Sequence, residues 1–278
     1  MKMGKITLLD GSCGSALWEL AEKNGIPKDS AWKYSIEHPD LVLKLHKDYI
    51  AAGADMIQTN TFCVNRALVG KSSDYSVEAL IRSSVEIARE AAKGTGVGVY
   101  LSSGPLDGML EPFGEVSEDE CSEIYDEVFS AAASSGVDMI MLETFMDLKM
   151  LKIAADSALR YDIPVSCSLS FFRKHRTMMG DSIPQICTAF SDGGISALGM
   201  NCSYGPSEGL EIIREFHDNT DIPLYFKPNA GTGESCGVEE FIASVEPSLE
   251  FVSYIGGCCG TGSEYIAALR KLVDNVGK

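Results

Sequence analysis

The chain has 278 residues, 45% of them hydrophobic, and a formal net charge of −17. That length is long for an ordinary domain, normal for a (β/α)8 barrel, and sufficient to bury a sizeable core. The acidic balance argues against nucleic acid and anionic membrane surfaces as partners, and no run of about 18 apolar residues reads as a membrane span.

The opening Met1-Lys2-Met3-Gly4-Lys5-Ile6 leads straight into a strand. It has neither an apolar core nor a small-residue cleavage site, so no export signal is expected. Nine cysteines, an odd number, then predict a reducing, cytoplasmic compartment in which thiols serve metals or the core. From there, short β-rich runs at 6–9, 55–59, 96–101, 138–142, 164–169, 197–200, 223–227 and 251–255 read as strands. Their near-continuous apolar character is that of parallel strands covered on both faces. Amphipathic stretches alternate with them, among them 39–52, 76–92, 118–135, 148–161 and 207–218. Leu41, Leu45, Tyr49 and Ala52 recur at helical steps, and Ser117 with Glu120 three residues on resembles a capping box. Eight such units predict a single α/β domain, a (β/α)8 TIM barrel spanning 1–278. The competing open doubly wound sheet usually carries G-x-G-x-x-G after its first strand. The run Asp10-Gly11-Ser12-Cys13-Gly14-Ser15 does not match that spacing.

In such a barrel the active site lies at the C-terminal ends of the strands, and the polar residues gather there. Asp10-Gly11 follows the first predicted strand, Asn60-Thr61 the second, Glu143 the fourth, Asn201-Cys202 the sixth, Asn229 the seventh and Cys258-Cys259 the eighth. The run Gly256-Gly257-Cys258-Cys259-Gly260-Thr261 places two thiols in a glycine-rich turn, and Gly199-Met200-Asn201-Cys202-Ser203 supplies a third. Adjacent cysteines rarely bond to each other, but two thiolates from a tight turn plus one from elsewhere make a zinc site with a vacant fourth position, the mark of a catalytic ion. Cys63, Cys121, Cys167, Cys187 and Cys236 read as small buried hydrophobes, Cys13 as packing, and His46 as a helix residue rather than a base.

Together these motifs resemble the homocysteine S-methyltransferase family. The resemblance runs from Leu8-Leu9-Asp10-Gly11 through Gly53-Ala54-Asp55, Thr59-Asn60-Thr61-Phe62, Gly104-Pro105 and Leu142-Glu143-Thr144-Phe145. It continues through Gly199-Met200-Asn201-Cys202 and Lys227-Pro228-Asn229-Ala230-Gly231 to the Cys-Cys run. It implies a zinc-binding barrel with homocysteine as methyl acceptor and Cys202, Cys258 and Cys259 as ligands. Asp10 and Glu143 would hold the substrate ammonium, the backbone of Gly11 and Ser12 would lie near its carboxylate, and Asn60 and Asn229 would make polar contacts at the mouth. The plainer alternatives are that Asp10 caps a turn and that Glu143 pairs with a lysine. Zinc would stabilise the homocysteine thiolate, which then attacks a methyl donor and forms methionine.

For the donor, Thr144-Phe145 and Thr59-Asn60-Thr61-Phe62 are closer to the methionine synthase type, which points to a methylated corrinoid. With one barrel in the sequence, that corrinoid is expected on a separate protein. Betaine enzymes place an aromatic residue where Thr144 stands, whereas the surroundings of Trp32 are similar to the S-methylmethionine enzymes. Both remain alternatives. A thiol-based redox sensor is an alternative of another class, although the C-x-x-C spacing is missing and sensing does not require Asp10 or Glu143.

Overall fold

The computed structural model describes residues 5–231 and 236–276; the opening Met1 to Gly4, where no export signal is expected, lies outside them. Eight parallel strands, β1 (Thr7–Leu8), β2 (Met56–Gln58), β3 (Gly98–Ser103), β4 (Met139–Phe145), β5 (Val165–Leu169), β6 (Ala197–Asn201), β7 (Leu224–Lys227) and β8 (Val252–Ile255), form one sheet. Its order is β1-β8-β7-β6-β5-β4-β3-β2. A bridge between Leu9 and Met56 closes the seam, reinforced by Asp55, whose carboxylate accepts from Leu8 N–H at 2.8 Å. This is the expected (β/α)8 barrel.

Helices α1 (Gly14–Lys23), α2 (Tyr34–Glu37), α3 (Pro39–Ala51), α4 (Arg66–Ser72), α5 (Val77–Ala92), α6 (Glu118–Ser135), α7 (Leu148–Ala158), α8 (Ile183–Ala189), α9 (Pro206–Asn219), α10 (Val238–Val245) and α11 (Ser263–Val276) surround it. Local chemistry sets several of their starts. Ser76, Ser117 and Asp147 cap α5, α6 and α7 by accepting backbone N–H bonds in the first turn, and Pro39 and Pro206 occupy first-turn positions whose N–H is unpaired anyway. Among the described residues no helix is long and apolar enough to cross a membrane.

Side-chain alternation along the strands divides the core in two. Outward residues such as Leu101, Ile140, Leu142, Leu198, Met200 and Phe226 join the large core beneath the helices. Inward residues Leu9, Tyr100, Met139, Met141, Ala197 and Tyr225 pack as a separate cluster inside the barrel. Two residues further along each strand, the same parity points Ser102, Glu143, Gly199 and Lys227 inward, and two beyond Gly199 it does the same for Asn201 at the end of β6. Gly199 is required there: a side chain would collide with the backbone of Tyr225 on the neighbouring strand.

β4 differs from its expected course. It runs on to Phe145, with a register shift between Leu142 and Phe145 and Thr144 at φ 67°. A β-branched residue in the left-handed region is strained; this irregularity follows Glu143, whose inward direction is already set by the parity of Met139 and Met141. The helix expected to reach residue 161 ends at Ala158, and the last residues close it as a turn.

His46 on α3 is 1% exposed, and neither ring nitrogen has a hydrogen-bond partner among the described residues. Burial pulls its pKa down to about 4. The folded state therefore holds it neutral while the unfolded chain takes up a proton below about 6.5, so its contribution to stability is present above that pH and lost as pH falls towards 4, on the order of 3 kcal/mol. Denaturant unfolding at pH 7 and pH 4.5 should show a smaller acid loss for His46→Leu than for the wild type; equal losses would assign the acid sensitivity elsewhere.

Candidate active site

The strand ends and following loops enclose a cavity of about 490 Å³. Three sulfurs converge on one side of it. Cys202 follows β6 and Cys258 and Cys259 follow β8; their Sγ atoms all lie within 4.8 Å of one another, with Cys202 and Cys259 3.6 Å apart. Tetrahedral ligation at the usual zinc–sulfur length separates sulfurs by about 3.8 Å, so this corner fits such an ion. The protonation chemistry fits as well. Hydrogen bonds from Cys202 and Cys258 hold the Cys259 thiol down to about 3, and the same contacts push Cys202 far up. A lone cluster thus keeps one thiolate and resists a second, and a cation is what removes the remaining protons.

The backbone at this corner is unusual and firmly held. Cys202 sits at φ 67°. Asn229 ties the two cysteine loops together: its Nδ2 donates to the Cys202 carbonyl and its Oδ1 accepts from Cys259 N–H at 3.1 Å. Asn201 clamps the β4 bulge, accepting from Thr144 N–H at 2.7 Å and donating to Thr144 Oγ1 at 2.7 Å. It also takes a bond from Ser168 at 2.7 Å and approaches Cys258 Sγ at 3.8 Å. The expected mouth contact Asn229 is therefore, in this geometry, a brace between cysteines.

Two carboxylates lie at the closed end: Glu143 lines the cavity, and Asp10 is buried behind the lining. Asp10 is fully buried; its Oδ2 accepts from Gln58 N–H at 2.8 Å and its Oδ1 from Tyr100 OH at 2.6 Å. Glu143 is 3% exposed and accepts from Ser102 Oγ at 2.5 Å and Tyr225 OH at 3.3 Å. Burial pushes both carboxyls above their ordinary values, with Lys227 opposing the rise in each. Lys227 Nζ lies 3.6 Å from Asp10 and 4.0 Å from Glu143. The two plainer alternatives are thus visible in part, since Asp10 does receive a backbone bond and Glu143 does face a lysine. Neither accounts for a charged cluster at the base of a cavity.

The remaining expected residues divide between cavity wall and scaffold. Gly11, Ser12 and Asn60 line the cavity. A side chain at Gly11 would stand 2.5 Å from the Thr261 carbonyl and 2.8 Å from the Tyr49 hydroxyl, so only glycine permits this approach. Gly11 O accepts from Gln58 Nε2 and Ser12 N–H donates to Thr261 O. The next amides along the chain are those of the first turn of α1, which has no intrahelical partners, and Gly14 and Ser15 line the cavity. Asn60 spends its amide on the wall, donating to Ala31 O at 2.7 Å and Ser35 Oγ at 3.2 Å and accepting from Cys13 Sγ at 3.6 Å. Cys13 and Cys63 are half-buried cavity residues; Cys121, Cys167 and Cys187 are buried, and Cys236 is half-buried.

Lys227, Tyr100 and Tyr225 received no role from the sequence. The signal was strand parity: an inward Tyr225 puts Lys227 inward as well. Nothing in the sequence marked the Thr144 bulge, because a β-branched residue is the wrong type for a left-handed conformation.

Three converging thiols and a charged floor in the mouth of a parallel barrel define a barrel enzyme. A family model described as homocysteine S-methyltransferase matches residues 7–273. Methionine synthase from Mycobacterium tuberculosis (strain ATCC 25618 / H37Rv) is 30% identical over 263 residues, which span 86% of this chain and 22% of that protein. The metallated form of the homocysteine methyltransferase MmuM from Escherichia coli superposes with a TM-score of 0.82 at 24% identity, covering 96% of each chain. Its apo form gives 0.76 at 23% identity, covering 97% of this chain and 96% of that one; at such identity the likeness shows the shared fold. The chain belongs to the homocysteine S-methyltransferase family, and with it to the methyltransferases.

Because Asn229 braces the two cysteine loops, a zinc ion held by the three thiols should bind about ten- to a hundredfold more weakly in Asn229→Ala. Competition with a chelator measures this; unchanged affinity would make the brace irrelevant to the metal.

Proposed function

We propose that the protein methylates the sulfur of homocysteine to form methionine, with zinc held by Cys202, Cys258 and Cys259. The observation that carries this is the meeting, in one cavity, of the three sulfurs with Glu143 and Lys227, and with Asp10 buried behind them. A thiol and an α-ammonium are the two ends of homocysteine that those features recognise. When bound, the zinc supplies the anion stabilisation that lets a thiol react as thiolate near neutral pH. The chain's own residues do the rest. Asp10 and Glu143 hold the ammonium, and the first turn of α1, with the close approach allowed by Gly11 and Ser12, receives the carboxylate at a helix N-terminus. Asn229 and Asn201 fix the cysteine loops, and Asn60 fixes the wall around Ala31. Gripping the substrate at its far end aims the sulfur at the cavity mouth, an orientation effect. A redox sensor would leave those charges without purpose.

The donor approaches from the open rim, and a methylated corrinoid on a separate protein suits it. Trp18, Phe62, Met109, Phe113, Phe172, Met178 and Met179 are large hydrophobic side chains at least a third exposed. Each lies between a strand and the helix it feeds, or in the first turns of that helix, and so on the rim side. Such an apolar crown suits a docking carrier more than a small donor. A second reading is favoured by Trp18, Trp32 and Phe62, which line the cavity: aromatic faces suit a sulfonium or quaternary ammonium donor, as in S-methylmethionine or betaine.

Methionine formation assayed against methylcobalamin, a methylated corrinoid protein, S-methylmethionine and betaine tests both halves. Turnover is expected chiefly with the corrinoid donors and little with betaine. Turnover with S-methylmethionine alone would replace the donor and keep the acceptor; no methionine from any donor would overturn the acceptor as well.

Cys258→Ala should lose zinc by elemental analysis while keeping the barrel's far-ultraviolet circular dichroism, since the sulfur corner lies above the core; full zinc content in that variant would remove Cys258 from the ligand set. Glu143→Gln and Asp10→Asn should retain zinc and weaken homocysteine binding about ten- to a hundredfold, the worth of a charge-assisted hydrogen bond. Normal binding in both would make the carboxylates structural.

A further inference from the structure

Lys227 is the residue least expected where it stands. Its side chain is 1% exposed, yet it borders the cavity. Nζ donates to Tyr100 OH at 2.9 Å and sits 5.5 Å from the centre of that ring. Its distances to Asp10 and Glu143, 3.6 and 4.0 Å, are too long for direct hydrogen bonds. The bonds to the carboxylates come instead from neutral donors on Gln58, Tyr100, Ser102 and Tyr225. Lys227 therefore acts on them through its charge.

That charge has a defined task. A carboxylate stripped of water favours its neutral acid, and two carboxylates in one pocket favour sharing a proton. The groups facing the two carboxylates are Gln58 on β2, Tyr100 and Ser102 on β3, Tyr225 on β7 and Cys258 after β8, with Cys13 before α1 and Tyr49 on α3 within electrostatic reach of Asp10. Lys227 is the cation among them. Burial by itself would discharge the lysine, but Glu143 and Asp10 outweigh it and hold the ammonium charged.

We propose that Lys227 is a positioning residue for the amino-acid end of the substrate: it keeps Asp10 and Glu143 both anionic, so that Glu143 at the cavity wall, with Asp10 buried behind it, presents net charge −1 to one ammonium. The proposal rests on the homocysteine reading only for the identity of that substrate. Two carboxylates and one lysine sum to −1, and one substrate ammonium brings the buried cluster to zero. Without Lys227 the second negative charge is unbalanced, and one carboxylate takes up a proton from water. Its new O–H then faces the substrate ammonium, donor against donor, and the hold is lost until rising pH removes the proton.

The test is Lys227→Met in the zinc-loaded enzyme, with KM for homocysteine measured against wild type from pH 6 to pH 9. The variant-to-wild-type ratio should be large at pH 6 and fall as pH rises, by up to about tenfold per pH unit along the titrating limb. Zinc content should stay unchanged, and kcat at saturating homocysteine should change far less than KM. A ratio flat with pH would reduce Lys227 to packing and overturn the proposal. If Lys227→Met does not fold, carboxyl carbons of wild-type protein labelled with 13C at Asp and Glu give the answer, assigned with Asp10→Asn and Glu143→Gln. Both carboxylates should be ionised at pH 7 without substrate, and a protonated carboxyl at either position would overturn the proposal. That measurement involves no homocysteine, so it fails or succeeds separately from the substrate reading.

Discussion

Three charges enclosed at the top of the barrel interior govern the rest of the site. Taking Asp10, Glu143 and Lys227 out of water is costly, and only mutual proximity and complete hydrogen bonding make it tolerable. The barrel supplies both. Three strands aim Gln58, Tyr100, Ser102 and Tyr225 at the two carboxylates, and Leu9, Met139, Met141 and Ala197 pack with the two tyrosines inside the barrel. A cluster of apolar side chains of similar volume would have been the more stable filling. Its retention as charge is the expense of a cavity that must hold a charged ligand.

Above that floor the design changes from charge to backbone constraint. Thr144 and Cys202 both occupy left-handed conformations, which non-glycine residues keep only when their surroundings leave no alternative. Asn201 and Asn229 provide that restraint through paired donors and acceptors. One asparagine fixes the bulge at Thr144, next to Glu143; the other fixes the spacing of the cysteine loops. The two functional features are thereby linked through β6, because Asn201 and Cys202 are neighbours in the chain.

In the proposed reading, the carboxylates and the sulfur corner hold a small substrate at its two ends, while the rim is left apolar. The acceptor features lie on strands and strand ends, where position is exact to the hydrogen bond. The crown of Met109, Phe113, Phe172, Met178 and Met179 lies in longer loops, where side chains can vary without disturbing the barrel.

The sequence by itself determined the barrel. The alternation of apolar runs and amphipathic stretches fixes strand and helix, the eightfold count fixes closure, and capping residues such as Ser117 fix helix starts. It also placed Asp10, Glu143 and the three cysteines at the same rim, since strand ends converge whatever the details. It left open what Asn60, Asn229 and Lys227 do, because an asparagine at a strand end suits a ligand and a brace equally well. Only the tertiary structure decided that Asn229 joins the loops of Cys202 and Cys259, which are 57 residues apart, and that Asn60 holds the wall at Ala31. It also turned Lys227 from the last residue of an apolar strand into the counter-charge of the floor. The physical reason is the same in each case: these roles depend on which groups stand opposite across the barrel, and that is set by the stagger and bulging of strands, which local pattern does not encode.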